Sequence, residues 1–529
     1  MVHNCPEAAP VILRMQFPDF LFNRKSPYVG GDTFNKNGKE RTFMKNNDDK
    51  KKKNNPVLSF FKSIGSFFGD FTNGVVKGDG AVKASLLVMG AGYWKRKQIV
   101  KGFLVTFLEI AVILYNYLIG FSYIGQLNHL GTVKRELVYN SKLMRNEVND
   151  YDNSLLILLF GVISLVILIV AVYLWMRNII NVYKLQKLEE EGKHINTFRE
   201  DCRMMINQKF HITLLTLPIL GIIIFNVMPL IVMICIAFTN YDQAHMPPAE
   251  LFTWTGLANF KSMFTVSLTS TFSYTFTKVL AWTLIWAVFA TFTTYVGGIL
   301  LALLINSKLT KLPKMWRTLF VIAIAVPQFV TLLLMRNFFA NSGLANTFCS
   351  AIGLTGFLQD IGVLTTNYIP FLTSPGWAKV TIIFINIWVG VPYLMLIATG
   401  VLMNIPQDIL ESAKIDGANK FQSFKNITMP YMLFITGPYL VTQFTANINN
   451  FNVIYLLTQD VYVTTDQKLA ASSGKEIDLL VTWLYRLTSE QYNYKMAAVI
   501  GICVFIVCAV FTLFAFNVLI KGDKEETFQ

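Results

Sequence analysis

The sequence predicts an all-α protein embedded in a membrane, with about eight transmembrane helices. Three observations carry that prediction. Of the 529 residues, 53% are hydrophobic and only 15% are charged, and the mean hydropathy of +0.46 lies outside the usual range of soluble domains. The apolar residues gather into eight runs near the length of about 20 residues that a helix needs to cross a bilayer. Those runs, 102–123, 154–176, 212–239, 279–305, 318–335, 380–403, 431–457 and 496–520, hold a single charged side chain, Glu109.

Residues 1–98 read as a cytoplasmic basic tail that opens with a polar, low-complexity stretch and the lysine run Lys50 to Lys53. After it, Val57, Phe60, Phe61, Ile64, Phe67, Phe68 and Phe71 fall at helical spacing. That pattern suits an interfacial helix, with the lysines drawn to anionic headgroups of the membrane lipid. The composition of residues 1–55 suits a solvated tail instead. Tyr93, Trp94, Lys95, Arg96 and Lys97 form an interfacial anchor before the first run. Residues 99–210 then hold two N-terminal spans and a linker, 211–522 the other six spans, and 523–529 a short polar end.

Orientation follows from the basic residues between the runs. With the N-terminus inside, the cytoplasmic segments carry 34 of the 46 Lys and Arg residues. Residues 177–211 carry seven of them, and Lys308, Lys311, Lys314 and Arg317 crowd the next inner turn, whereas the outer stretch 341–378 has none. The positive-inside rule therefore places both termini in the cytoplasm. The same asymmetry accounts for the net charge of +14 without invoking nucleic acid.

Catalytic chemistry finds no purchase in the chain. Each Gly-Lys pair, at Gly38, Gly192 and Gly474, lacks both the spaced upstream glycine and the following Ser or Thr of a phosphate-cradling loop. His3, His129, His194, His211 and His245 are scattered, and no nucleophile elbow or metal-ligand spacing occurs. Six cysteines without a C-x-x-C pair give neither a disulfide framework nor a zinc site; Cys235, Cys503 and Cys508 sit inside apolar runs as small core residues. The chain is expected not to be an enzyme and to hold no metal or cofactor.

The connection from Ile405 to Pro430, on the inner side, reads as two short helices around a turn. Pro406 opens the first helix and Asp408 suits its positive end, while Ile409, Leu410 and Ala413 give one apolar side. Gly417 lets the chain break, and Pro430 restarts it into the next span. On physical grounds alone such a module is either an interfacial hairpin or a helix that docks into a groove on a cytoplasmic partner.

Glu411-Ser412-Ala413, Gly417, Ile427 and Pro430 resemble the coupling loop of binding-protein-dependent ABC importers, in the spacing E-A-A-x3-G-x9-I-x-x-P. Ser412 departs from the usual Ala. Asp416, Gly417 and Ala418, with Phe424 and the run N-I-N-N-F from Asn447 to Phe451, narrow the resemblance to the sugar permeases of the maltose type, over roughly residues 210–520. The two extra N-terminal spans are similar to the larger of that family's two permease subunits. The resemblance implies a six-helix type I importer core over 211–522, in a bacterial cytoplasmic membrane. It also implies four partners: a second, smaller permease, two copies of a cytoplasmic ATPase, an external solute-binding protein and an oligosaccharide substrate. Glu411, Ser412, Ala413, Asp416, Gly417, Ile427 and Pro430 would then couple the chain to the ATPase.

Polar residues inside the spans suggest where a substrate sits. Gly390 and Asn447 each lie ten residues from the outer end of their runs, roughly 15 Å deep and near the midplane. Asn386, Val389, Gly390 and Tyr393 share one helical face, as do Thr436, Tyr439, Gln443, Asn447 and Asn450. Amides and a phenol without charge suit a neutral polyhydroxylated ligand, although such amides also bond between helices. In the maltose-type family the positions matching Val389, Gly390, Tyr393, Gln443, Ala446, Asn447 and Asn450 contribute to the sugar cavity. Gln443 and Ala446 stand where the family has Ser and Phe. A second reading, a self-contained ion-coupled transporter or channel with Glu109 or the Asn-rich seventh run, 431–457, serving ions, stays open here, although no other span offers Glu109 an ionisable partner.

Overall fold

The computed structural model describes residues 56–141, 144–265, 271–307 and 309–519, so the lysine run at 50–53, Lys308 and the polar end 523–529 lie outside the described residues. The chain divides into two units, 1–68 and 69–529. Helix α1 (Pro56–Lys77) takes up the Phe-rich stretch, and within the first unit Ile64 and Phe68 are exposed.

Among the described residues of the second unit, six helices are long and apolar enough to cross a membrane: α2 (Ile99–Gln126), α3 (Ser154–Glu190), α4 (Phe210–Ile236), α5 (Thr271–Ile305), α8 (Pro375–Met403) and α13 (Tyr494–Asn517, helical to Leu519). They match six of the eight apolar runs. The run 318–335 is not one straight helix. It is divided between α6 (Pro313–Ala325) and α7 (Gln328–Phe338), which meet at 94°. Pro327 forces the break, because its ring drives Val326 out of the helical region, to ψ 125°.

The run 431–457 is divided too, into α10 (Met429–Ile448) and α11 (Phe451–Thr458). Here the cause is an amide. The Asn450 side chain accepts the N–H of Val453 at 3.3 Å and so caps a new helix in the middle of the apolar run. The short helix α9 (Gln407–Ile415) lies between α8 and α10, and α12 (Leu480–Ser489) precedes α13.

Helix α5 is the axis of the packing. Trp286 and Ala290 are buried with Leu332, Ile385 and Ile454 in one cluster, while Tyr295, Ile299 and Ala302 are buried with Leu394, Met395 and Met432 in another. In contrast, the apolar side chains Phe289, Phe292, Val296 and Leu300 on its other face are exposed. That pattern suits lipid on one side and protein on the other.

The segment between α11 and α12 is held by two acidic hubs. Glu476 accepts hydrogen bonds from the hydroxyls of Tyr462, Thr464 and Thr465 and from the N–H groups of Thr465 and Asp466, all at 2.7–2.9 Å. Asp478 receives both Arg486 guanidinium nitrogens at 2.8 Å. Burial works to raise the Glu476 pKa, but the hydrogen bonds from Thr464 and Thr465 outweigh it and hold the carboxyl at about 2. A depressed carboxylate contributes stability above its unfolded pKa and loses it as pH falls. Protection of the Thr465 and Asp466 amides from hydrogen exchange, taken relative to the intrinsic rate at each pH, is therefore expected to stay high at neutral pH and to fall as the pH drops from 4.5 toward 2. Glu476→Gln should abolish that pH dependence.

Candidate functional site

The polar residues of α8 and α10 divide into two sets according to what they face. The first set turns toward α5. Asn386 donates to Thr294 Oγ1 at 3.4 Å, Asn447 donates to Thr291 Oγ1 at 2.9 Å, and the hydroxyls of Tyr295 and Thr436 lie 2.7 Å apart. Trp286 adds its indole N–H to the Asn447 carbonyl at 3.0 Å. All these side chains are buried, so an unpartnered member would be costly and each has a partner.

Gly390 belongs to the same seam. A Cβ there would lie 2.5 Å from Thr294 Cγ2, and one on Gly298 would lie 2.5 Å from Leu394 Cβ. Two glycines on opposing helices thus let the α5 and α8 backbones approach more closely than any side chain allows.

The second set faces open space. Tyr393 is 47% exposed, and its ring centroid lies 6.1 Å from that of Tyr439 on α10. Tyr439 donates its hydroxyl to Gln443 Oε1 at 3.0 Å, which fixes the amide along one side of the aromatic pair. Ala446, one turn further, is exposed, and Val389 is half-buried. The result is a patch of two phenol rings and one amide with no charged group. Such a surface offers ring faces for the apolar side of a sugar and donors and acceptors for its hydroxyls.

Of the seven sequence-selected cavity residues, Tyr393, Gln443 and Ala446 lie on this open patch. Gly390 and Asn447 lie in the seam beneath it, Val389 borders both, and Asn450 caps α11. Sequence reasoning passed over the residues of α5 that receive the seam. Thr291, Thr294, Tyr295 and Gly298 recur at helical spacing in an otherwise apolar run, and that stripe is the signal that would have found them.

The connection between α8 and α10 has the two-helix form. Helix α9 ends at Asp416 with Gly417 at φ +81°. The Gly417 N–H reaches the Lys414 carbonyl at 3.1 Å and the Ala418 N–H reaches that of Ala413 at 2.9 Å, the paired bonds of a helix closed by a left-handed residue. Asn419 and Gln422 then exchange reciprocal side-chain-to-backbone bonds of 2.8 Å and start the second turn, Lys420–Ser423. It runs through Phe424–Thr428, with Ile427 half-buried, into α10 at Pro430. Ser412 bonds back to the Asp408 carbonyl at 2.8 Å, so the residue that replaces the usual Ala keeps its hydroxyl on the helix. Glu411 and Asp416 point to solvent, Ala413 is half-buried, and Ile415 and Phe421 are 86% and 70% exposed.

An uncharged polar patch on packed apolar helices, joined to an exposed helix pair, suits a transport subunit. The sequence comparisons agree. Residues 294–522 match the family of binding-protein-dependent transport system inner membrane components. The chain is 33% identical over 449 residues to the maltodextrin transport system permease protein MalC of Streptococcus pneumoniae, covering 84% of this chain and 97% of that one. It is 31% identical over 442 residues to the galactooligosaccharides transport system permease protein GanP of Bacillus subtilis, covering 83% and 97%. With the maltose/maltodextrin permease MalF of Escherichia coli it shares 29% over 271 residues, about half of each chain (50% and 49%). The chain belongs to the inner-membrane permease components of binding-protein-dependent transport systems, and within them to the maltose-type sugar permeases.

The two sets of polar residues should respond differently to substitution. Gly390→Ile is expected to wedge α5 from α8 and cost about 1–3 kcal/mol, lowering the thermal unfolding midpoint of the detergent-purified chain. Tyr393→Ala, on the open patch, should change the stability by no more than about 0.5 kcal/mol and leave that midpoint near the parent's.

Proposed function

We propose that this chain is the larger permease subunit of an ATP-driven importer and forms, with a smaller second permease, the path of a neutral oligosaccharide. An external binding protein delivers the sugar, and two ATPase subunits on the cytoplasmic side supply the cycle. On this reading both termini are cytoplasmic, in a bacterial cytoplasmic membrane, and the interfacial helix and basic tail before residue 98 lie on that side. Maltodextrins and galactooligosaccharides, the sugars named for the relatives above, are the substrates to try first.

The observation that carries the proposal is the module between α8 and α10. Its apolar side chains Ile415 and Phe421 are presented outward, where a water-facing loop gains nothing from them and a partner's groove does. Glu411, Ser412, Ala413, Asp416, Gly417, Ile427 and Pro430 shape and present this handle. Because the two transmembrane helices that it connects also carry the open polar patch, movement of the handle moves the patch. Tyr393 and Gln443 contact the sugar, Ala446 leaves room for it, and Val389, Gly390, Asn447 and Asn450 set the wall behind. The ion-coupled reading has less support: Glu109 accepts the Met89 N–H at 2.8 Å and stands on α2, apart from the α5, α8 and α10 seam.

Uptake of labelled maltodextrin in cells carrying the complete system tests the proposal. Gly417→Val places a β-branched residue at φ +81° and should abolish uptake while the chain remains in the membrane fraction. Tyr393→Ala should lower uptake by roughly two- to tenfold, the equivalent of about 0.5–1.5 kcal/mol for one lost ring face. Normal uptake by the Gly417 variant would refute the coupling role.

A further inference from the structure

Between Asp79 and Lys97 the chain folds into a hairpin of two short helical arms, Gly80–Ala84 and Ala91–Lys95. Its base is ionic. Asp79 receives Lys95 Nζ at 2.7 Å and Arg96 Nη2 at 3.0 Å, and the buried Arg96 also places Nε 3.2 Å from Glu189 on α3. Its tip is the opposite: from Ala84 to Trp94 no residue is charged.

Three side chains of the flanking helices α2 and α3 bond to the backbone of that tip, Asn178 from just past the apolar part of α3. Trp175 Nε1 donates to the Leu86 carbonyl at 3.1 Å, Asn178 Nδ2 donates to the Met89 carbonyl at 2.9 Å, and the Met89 N–H donates to Glu109 Oε2 at 2.8 Å. Turns in water leave such groups to solvent. Non-helical backbone at membrane depth has no solvent to use and must find protein partners. The level of the tip agrees. Glu109 lies eight residues, roughly 12 Å of helix, beyond Lys101 in the apolar part of α2, and Trp175 lies just inside Arg177 at the end of the apolar part of α3. At that level Leu87 is 86% exposed and Val88 is exposed beside it.

We infer that residues 80–95 form a re-entrant hairpin, with Leu87 immersed in the lipid acyl chains of the leaflet on the N-terminal side of the membrane. Glu109 is a positioning residue: its carboxylate is the acceptor that replaces water at the Met89 N–H. This role accounts for an intramembrane carboxylate that has no ionisable partner in the other runs. Gly90 serves the same contact, since a Cβ there would collide with Thr106 and the Gly102 carbonyl on α2.

Nitroxide accessibility on the full-length chain in proteoliposomes tests the inference, with the six native cysteines replaced by serine. A label at Leu87→Cys should collide several-fold more with oxygen than with a water-soluble nickel chelate, and a label at the exposed Lys77→Cys should show the reverse. Nickel access at Leu87 equal to that at Lys77 overturns the insertion. In the Leu87→Cys background, Glu109→Leu should open the label to nickel, whereas Glu109→Gln, which keeps an acceptor oxygen, should not. If Glu109→Leu leaves the label protected, the positioning role fails. Sugar uptake by Glu109→Gln should match the parent, and its loss with the label still protected would assign Glu109 to transport instead.

Discussion

The architecture depends on the close approach of α5 and α8. Between helices in lipid there is no hydrophobic drive, because the surrounding chains are as apolar as the side chains, so contact must come from packing and hydrogen bonds. Gly298 fits against Leu394 and Gly390 against Thr294. With the backbones that close, the small hydroxyl residues of α5 reach amides on two neighbours: Thr294 takes Asn386 of α8 and Thr291 takes Asn447 of α10. One face of one helix thereby sets the position of both helices that carry the open patch.

From that constraint the open patch follows. Residues pointing into the seam are consumed by packing, which leaves Tyr393, Tyr439 and Gln443 at the seam's edge. The connection that joins the two helices bearing them is itself stiffened locally by the Gly417 closure and the Asn419–Gln422 exchange. On the proposed function, such a stiff connection between two helices gripped by a common neighbour would pass a push from an ATPase to both helices as one unit, with little lost to bending of the loop.

The sequence revealed most where the determining interactions are local. Pro406, Asp408 and Gly417 announced the short helix, its first turn and its end, and the structure has each at those positions. Composition alone located six continuous spans. It could not reveal the division of 431–457, since a hydropathy window averages over Asn450, whose capping bond depends on side-chain direction. Pro327 was visible, but an apolar run containing a proline does not say whether the helix kinks or turns through 94°. Partners remote in sequence were hidden as well: Asn447 meets a threonine 156 residues away, and Glu109 meets a backbone N–H on a hairpin whose uncharged stretch, Ala84 to Trp94, is too short to register as a span. The distinction between wall and ligand-facing surface therefore required the packed structure, because both kinds of residue share the same helical face in sequence.

The central claim is that the exposed helix pair between α8 and α10 is the handle by which an ATPase drives a sugar-conducting bundle. Affinity purification of the tagged chain from its own membrane in a mild detergent, with mass spectrometry of the co-purifying chains, tests it most directly when wild type is compared with Phe421→Asp. The account predicts an ATPase and a second permease with the wild type, and the second permease without the ATPase for Phe421→Asp. Equal recovery of the ATPase with both chains, or recovery of the wild-type chain alone, would contradict it.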